Sequence, residues 1–169
     1  MPRKGVLATM LIFALFAMLQ GCYAFSGGAL PTHLKSLAIP VFEDRSGAGI
    51  ARFRGEITRS LTDRIESQST LRITPSASRA DATLDGEIVS FSDEPAQLSA
   101  RTDRAATNRI TIVVRAILTD RVQKRALFAQ SFAGFADYPA GNFAAEEQAR
   151  RFALGQIADA ISDRVISGW

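Results

Sequence analysis

The sequence is poor in the residues from which most enzyme sites are built. Its 169 residues include one cysteine, Cys22, one histidine, His33, and one tryptophan, Trp169. A single cysteine excludes an intrachain disulfide and any site with two thiolate ligands. A single histidine makes every Ser-His-Asp or Cys-His arrangement depend on His33. That residue falls ahead of the first predicted strand, where an exposed loop side chain is expected. No Gly-rich phosphate loop precedes a predicted helix. Glu43-Asp44 and Glu146-Glu147 are adjacent carboxylates, but neighbouring side chains point apart. The reading is a non-enzymatic chain with no metal site and no cofactor. Long hydrophobic runs are lacking too. The longest, Val6–Leu19, has 14 residues, short of the roughly 20 that span a hydrocarbon core. Nor does one sign of charge dominate. The 20 basic residues, less Arg3 and Lys4 of the leader, leave 18 against 17 acidic. That balance excludes the basic stripe of a nucleic-acid binder.

What is present begins with that leader. Arg3 and Lys4 precede the apolar run, and Leu19-Gln20-Gly21-Cys22 follows it at once, the order of a secretory signal. The small residue before Cys22, with Leu19 two places earlier, resembles the bacterial lipobox, in which the chain is cut before the cysteine and acylated on it. Cys22 is therefore the expected lipid-attachment site, and acylation accounts for an unpaired cysteine in an exported chain. The chain divides into a removed signal peptide at 1–21, a lipidated flexible tether at 22–34 and one domain at 35–169. Without the first 21, 148 residues remain, enough for a core without staples. Several acyl chains together hold such a body stably on a membrane.

Periodicity sets the expected fold. Lys35–Phe42 reads as a strand, with Leu37, Ile39 and Val41 on one face and Ala38, Pro40 and Phe42 on the other. Pro40 places it at an edge. From Ile50, apolar residues recur at Phe53, Ile57, Leu61 and Ile65, the spacing of one helical stripe. A short extended piece, Leu71–Thr74, follows. Ala82–Phe91 alternates, with Leu84, Gly86 and Ile88 in phase. Ile110–Leu118 and Ala126–Phe135 complete three further strands, the last two joined closely enough for a hairpin. Ser92–Asn108 is either a long loop or an extension of its flanking strands into a protruding hairpin. Asn142 is placed to cap a final helix whose stripe is Phe152, Ile157, Ile161 and Val165. Two helices on one face of a mostly antiparallel sheet of about four strands is the two-layer α+β solution. The helical spacing up to Ile166 also argues against a closing barrel strand. Trp169 is expected to fold back on the body or meet a partner.

Several short segments then match a known family in order. They are Cys22-Tyr23-Ala24-Phe25-Ser26-Gly27, Leu30-Pro31, Leu34 to Gly47 with its Ile39-Pro40-Val41-Phe42 core, Ile110–Asp120, Asp137-Tyr138 and Arg164–Trp169. As an ordered set these resemble the lipopolysaccharide-assembly lipoprotein family (LptE). The resemblance implies a small α+β lipoprotein of the outer membrane. Such a protein sits within a large β-barrel partner of the LptD type, helps that barrel assemble, and aids delivery of lipopolysaccharide to the outer leaflet. Tyr23 after the lipidated cysteine is consistent with that address.

Lipopolysaccharide carries phosphates and acidic sugars, so binding it asks for Arg or Lys on loops. The candidates are Arg101 and Arg104 in the long connection and Arg121, Lys124 and Arg125 in the hairpin. Ordinary solvated loop charge is the competing account of all five. The alternative function is a periplasmic lipoprotein regulator or secretion-pore component, akin to cell-wall synthase activators or curli-secretion pores. Those also open with a Val/Ile-rich strand ending as Val41–Gly47 does.

Overall fold

The protein's structure, a computed structural model, describes residues 30–49, 51–98 and 105–167. The leader, Cys22, Ile50, Arg101, Arg104 and Trp169 lie outside the described residues. In chain order the elements are β1 (Ser36–Ala38), β2 (Glu43–Asp44), α1 (Ala51–Gln68), β3 (Arg72–Ile73), a 3-10 turn (Ala77–Arg79), β4 (Ala82–Leu98), β5 (Ala105–Asp120), β6 (Arg125–Pro139) and α2 (Phe143–Ser167). The strands lie in the order β3-β1-β4-β5-β6, and β2 pairs with β4 beyond β1.

The α+β expectation holds, with two corrections. Among the described residues the sheet has six strands rather than about four, and it is mixed. β4, β5 and β6 are antiparallel, whereas β1, β2 and β3 pair in parallel. The extra strands have two or three residues each, too few to carry a period-two signal. The expected strand Lys35–Phe42 is split at Pro40, which lacks the N–H that a ladder requires. Past the break, Phe42 leaves the sheet edge. Its N–H donates to Thr58 Oγ1 of α1 at 3.2 Å, and its ring is 1% exposed. The ring lies against Gly86, where an added Cβ would fall 2.2 Å from it. Val41, expected on the face of Leu37, is exposed instead.

α1 buries the predicted stripe of Phe53, Ile57, Leu61 and Ile65. Its Phe53 ring meets Phe91 of β4 with centroids 5.9 Å apart. The opposing sheet face is Leu84 and Ile88 of β4, then Ile110, Ile112, Val114, Ala116 and Leu118 of β5. α2 starts as expected, with Asn142 Oδ1 accepting the Ala145 N–H at 3.0 Å. Its buried stripe runs in steps of four through Ala149, Ala153, Ile157, Ile161 and Val165. Phe152 is off that stripe and 62% exposed, a correction with a steric cause. At Gly134 of β6 a Cβ would lie 2.2 Å from the Ala153 carbonyl oxygen, so helix and sheet meet backbone to backbone.

The Ser92–Asn108 question resolves as the protruding hairpin. Ladder pairs continue from Ala82↔Asp120 out to Leu98↔Ala105, with irregularities at Ile88/Ser90 and around Gln97.

Candidate functional site

Of the five candidate cations, three lie among the described residues. Arg101 and Arg104 fall between Leu98 and Ala105, the described ends of the β4–β5 hairpin. Arg121, Lys124 and Arg125 lie at the β5–β6 turn. Along β5 these ends are 15 residues apart, on the order of 50 Å at strand rise. The described part of the hairpin therefore ends far from Arg121, Lys124 and Arg125, and Arg101 and Arg104 themselves lie outside the described residues.

At the hairpin end, three strands are tied by a polar row. The Tyr138 hydroxyl of β6 donates to Asp93 Oδ2 of β4 at 2.6 Å. Asn108 Nδ2 of β5 donates to Asp93 Oδ1 at 3.1 Å and approaches the Tyr138 oxygen at 3.3 Å. Burial, then the Asp93 hydrogen bond, pushes the Tyr138 phenol above its ordinary pKa, so it stays a donor. On the outer face Arg109 grips Asp137 with two bonds of 2.6 and 2.9 Å. These ties fix the base from which the hairpin projects. They also give a role to Asp137-Tyr138, which the sequence marked only by resemblance.

The other end is where the tether joins the body. Leu34 donates its N–H to the Pro31 oxygen at 2.9 Å. The expected exposed loop histidine is instead partnered: His33 Nε2 lies 2.7 Å from Asp120 Oδ2. Asp120 is fully buried, and its other oxygen accepts the Gln123 N–H at 2.8 Å. Burial pushes its carboxyl pKa up, but the Gln123 N–H and His33 stabilise the charged form, and the net shift is downward. Beside it, Asp81 accepts from the N–H groups of Lys35 and Ser36, both at 2.9 Å, and from the Ser36 hydroxyl at 2.8 Å. The Lys35 N–H, then the Ser36 hydroxyl, holds the Asp81 carboxyl below its usual value. The Arg121 N–H closes the junction on the Asp81 carbonyl at 2.8 Å.

This junction was missed in the sequence. The isolated acids Asp81 and Asp120 at the start of β4 and the end of β5 were the available signal. Their partners, though, lie 45, 46 and 87 residues away. The junction presents the turn Arg121-Val122-Gln123-Lys124, in which Lys124 has φ of 55°. A lysine in the left-handed region is uncommon and costs about 1–2 kcal/mol. All four residues and Arg125 are exposed.

Elsewhere among the described residues the surface carries little chemistry. Its depressions are open grooves, one of them lined by Phe135, Tyr138, Phe152 and Gln156 beside the β6 edge. Gln156 Oε1 of α2 accepts the Phe135 N–H at 2.9 Å, which covers part of that edge. Among the described residues no group of three His, Cys, Asp or Glu could hold a metal ion. No described helix is long and apolar enough to cross a membrane.

Comparison with known proteins agrees with this architecture. The model of a lipopolysaccharide-assembly family (LptE) matches residues 34–166. No curated protein matches the sequence. Solved structures share the fold. Uncharacterized lipoprotein B from Nitrosomonas europaea is 18% identical, with a TM-score of 0.58 over 82% of this chain and 84% of that one. A Xanthomonas campestris protein is 17% identical, with a TM-score of 0.62 over 82% and 87%. The PelC dodecamer protein of Paraburkholderia phytofirmans is 14% identical, with a TM-score of 0.50 over 81% and 92%.

Proposed function

This chain belongs to the lipopolysaccharide-assembly family, and from that premise we propose that it is an outer-membrane lipoprotein, acylated at Cys22, that partners a large β-barrel of the LptD type. In this role it assists the barrel's assembly and the delivery of lipopolysaccharide to the outer leaflet, and catalyses no reaction. The observation that carries the reading is the extent of the family match, from Leu34, the first buried core residue, to Ile166. A polar exterior that carries ion pairs on its sheet face also suits a body enclosed by a polar barrel lumen. Glu87, for example, lies 3.3 Å from Arg45 and 3.9 Å from Arg115 on the outer sheet face.

We assign lipopolysaccharide phosphates to Arg101 and Arg104, whose described neighbours Leu98 and Ala105 stand at the far end of β5 from the β5–β6 turn. Replacing both by Ala is expected to weaken capture in a lipopolysaccharide pull-down, and unchanged capture removes them from the site. The anchor is tested separately. The mature N-terminus should carry the mass of an acylated cysteine, and Cys22→Ser should leave the outer-membrane fraction.

A second reading is favoured by the likeness to PelC, a protein whose structure is a dodecamer. In it this chain is a ring-forming secretion component. A large homo-oligomer in detergent with no barrel attached would select that reading.

A further inference from the structure

The strand ends beside the tether form a surface whose exposed charge is of one sign. Segments 30–38, 69–83 and 119–127 meet there, and they hold Lys35, Arg72, Arg79, Arg121, Lys124 and Arg125, all exposed. Their only carboxylates, Asp81 and Asp120, are consumed internally by the junction. The exposed acids Glu66 and Asp163 stand on the last turns of α1 and α2 rather than on the strands.

None of the six cations pairs with a carboxylate among the described residues. Elsewhere seven arginines, Arg45, Arg52, Arg64, Arg109, Arg115, Arg150 and Arg151, each have an acidic partner, and the described cations without one, Arg54, Arg59 and Arg164, stand on the helices. Like charges gathered without counter-charge repel one another unless something outside supplies it. Val122, at the tip of the same turn, is 60% exposed and offers an apolar side chain among the cations.

Where the chain leads decides what faces this surface. Leu30 packs partly against the core, and His33 is fastened to Asp120. Eight residues separate Leu30 from Cys22, a reach of no more than about 30 Å fully extended. A lipid on Cys22 therefore keeps this end, and not the hairpin end, next to the bilayer.

We propose that these six cations make the tether end of the domain a docking surface for anionic phospholipid headgroups of the membrane that holds the acyl anchor. The proposal rests on the reading of Cys22 as acylated, so its test is run without acyl chains.

The chain from Cys22 onward contains the whole core, Leu34 to Val165. Prepared unacylated, it is sedimented with vesicles of phosphatidylcholine alone, with vesicles containing about a third phosphatidylglycerol, and with lipopolysaccharide aggregates. Binding to the phosphatidylglycerol vesicles is expected to exceed that to neutral ones by tenfold or more, at roughly 1 kcal/mol per basic residue near the surface. It should fall steeply as salt is raised. The variant Arg121→Gln, Lys124→Gln, Arg125→Gln should lose at least tenfold, while Arg54→Gln with Arg59→Gln on α1 should lose nothing. Equal binding to neutral and anionic vesicles, an unchanged triple variant, or capture by lipopolysaccharide alone would each overturn the proposal. The mass of the mature N-terminus reports acylation alone, so failure of the anchor and failure of the surface are separate results.

Discussion

His33 and Asp120, 87 residues apart, meet at 2.7 Å and fasten the tether to the end of β5. The chain's single histidine thereby closes over a carboxylate with no exposed surface. Asp120→Ala leaves the Gln123 N–H and the His33 ring without their acceptor. Denaturant unfolding should show a loss of about 2 kcal/mol. His33→Ala should cost less, and the double variant little more than Asp120→Ala alone, because both delete one interaction.

The same junction sets an acid limit on stability. Asp81 and Asp120 both have folded pKa values below those of the unfolded chain. Their ionised forms therefore stabilise the fold above the unfolded carboxylate range, and the contribution is lost as pH falls through the folded values. Unfolding free energy should be flat near neutrality and decline in acid. With Asp81→Asn the protein is less stable at neutral pH and its acid decline shallower. A parallel decline in wild type and variant would contradict this account of Asp81.

Packing of α2 on β6 depends on Gly134. Gly134→Ala forces its methyl onto the Ala153 carbonyl, and a loss of about 2 kcal/mol is expected as the helix is displaced. Phe152→Ala, despite the larger deletion, should change stability by no more than about 0.5 kcal/mol, because the ring is mostly exposed. Thermal melts of the two variants test the contrast.

Lys124 sets conformation against charge. Its φ of 55° suits glycine, so Lys124→Gly should raise stability by about 1 kcal/mol. It also removes one cation of the tether end, so vesicle binding should fall as the melting midpoint rises. A variant that changes both in the same direction would separate the strained turn from the proposed surface.

Much of this architecture is written locally in the sequence. The stripe Phe53, Ile57, Leu61, Ile65, the in-phase residues of β5 and the Asn142 cap each lie within a few turns or pleats, and each is found where periodicity places it. Phe152 misled because helical spacing alone does not reveal that Gly134, nine residues before α2 begins, brings the backbones into contact. β2 and β3 have two residues each and exist through their parallel partners, which no local pattern reports. At the candidate site, the sequence identified cations in connections but not the length to which the β4–β5 ladder runs, which depends on strand register. The junction of His33, Asp81 and Asp120 depends on contacts across most of the chain. That the six cations lack acidic partners, while seven other arginines have them, depends on contacts that only the fold creates.

Purification of the lipidated chain from native outer membrane in mild detergent tests the central claim most directly. The account predicts one large β-barrel protein bound in fixed stoichiometry to a single copy of this chain. Recovery as a homo-oligomeric ring, or bound to a cell-wall synthase with no barrel present, would contradict it.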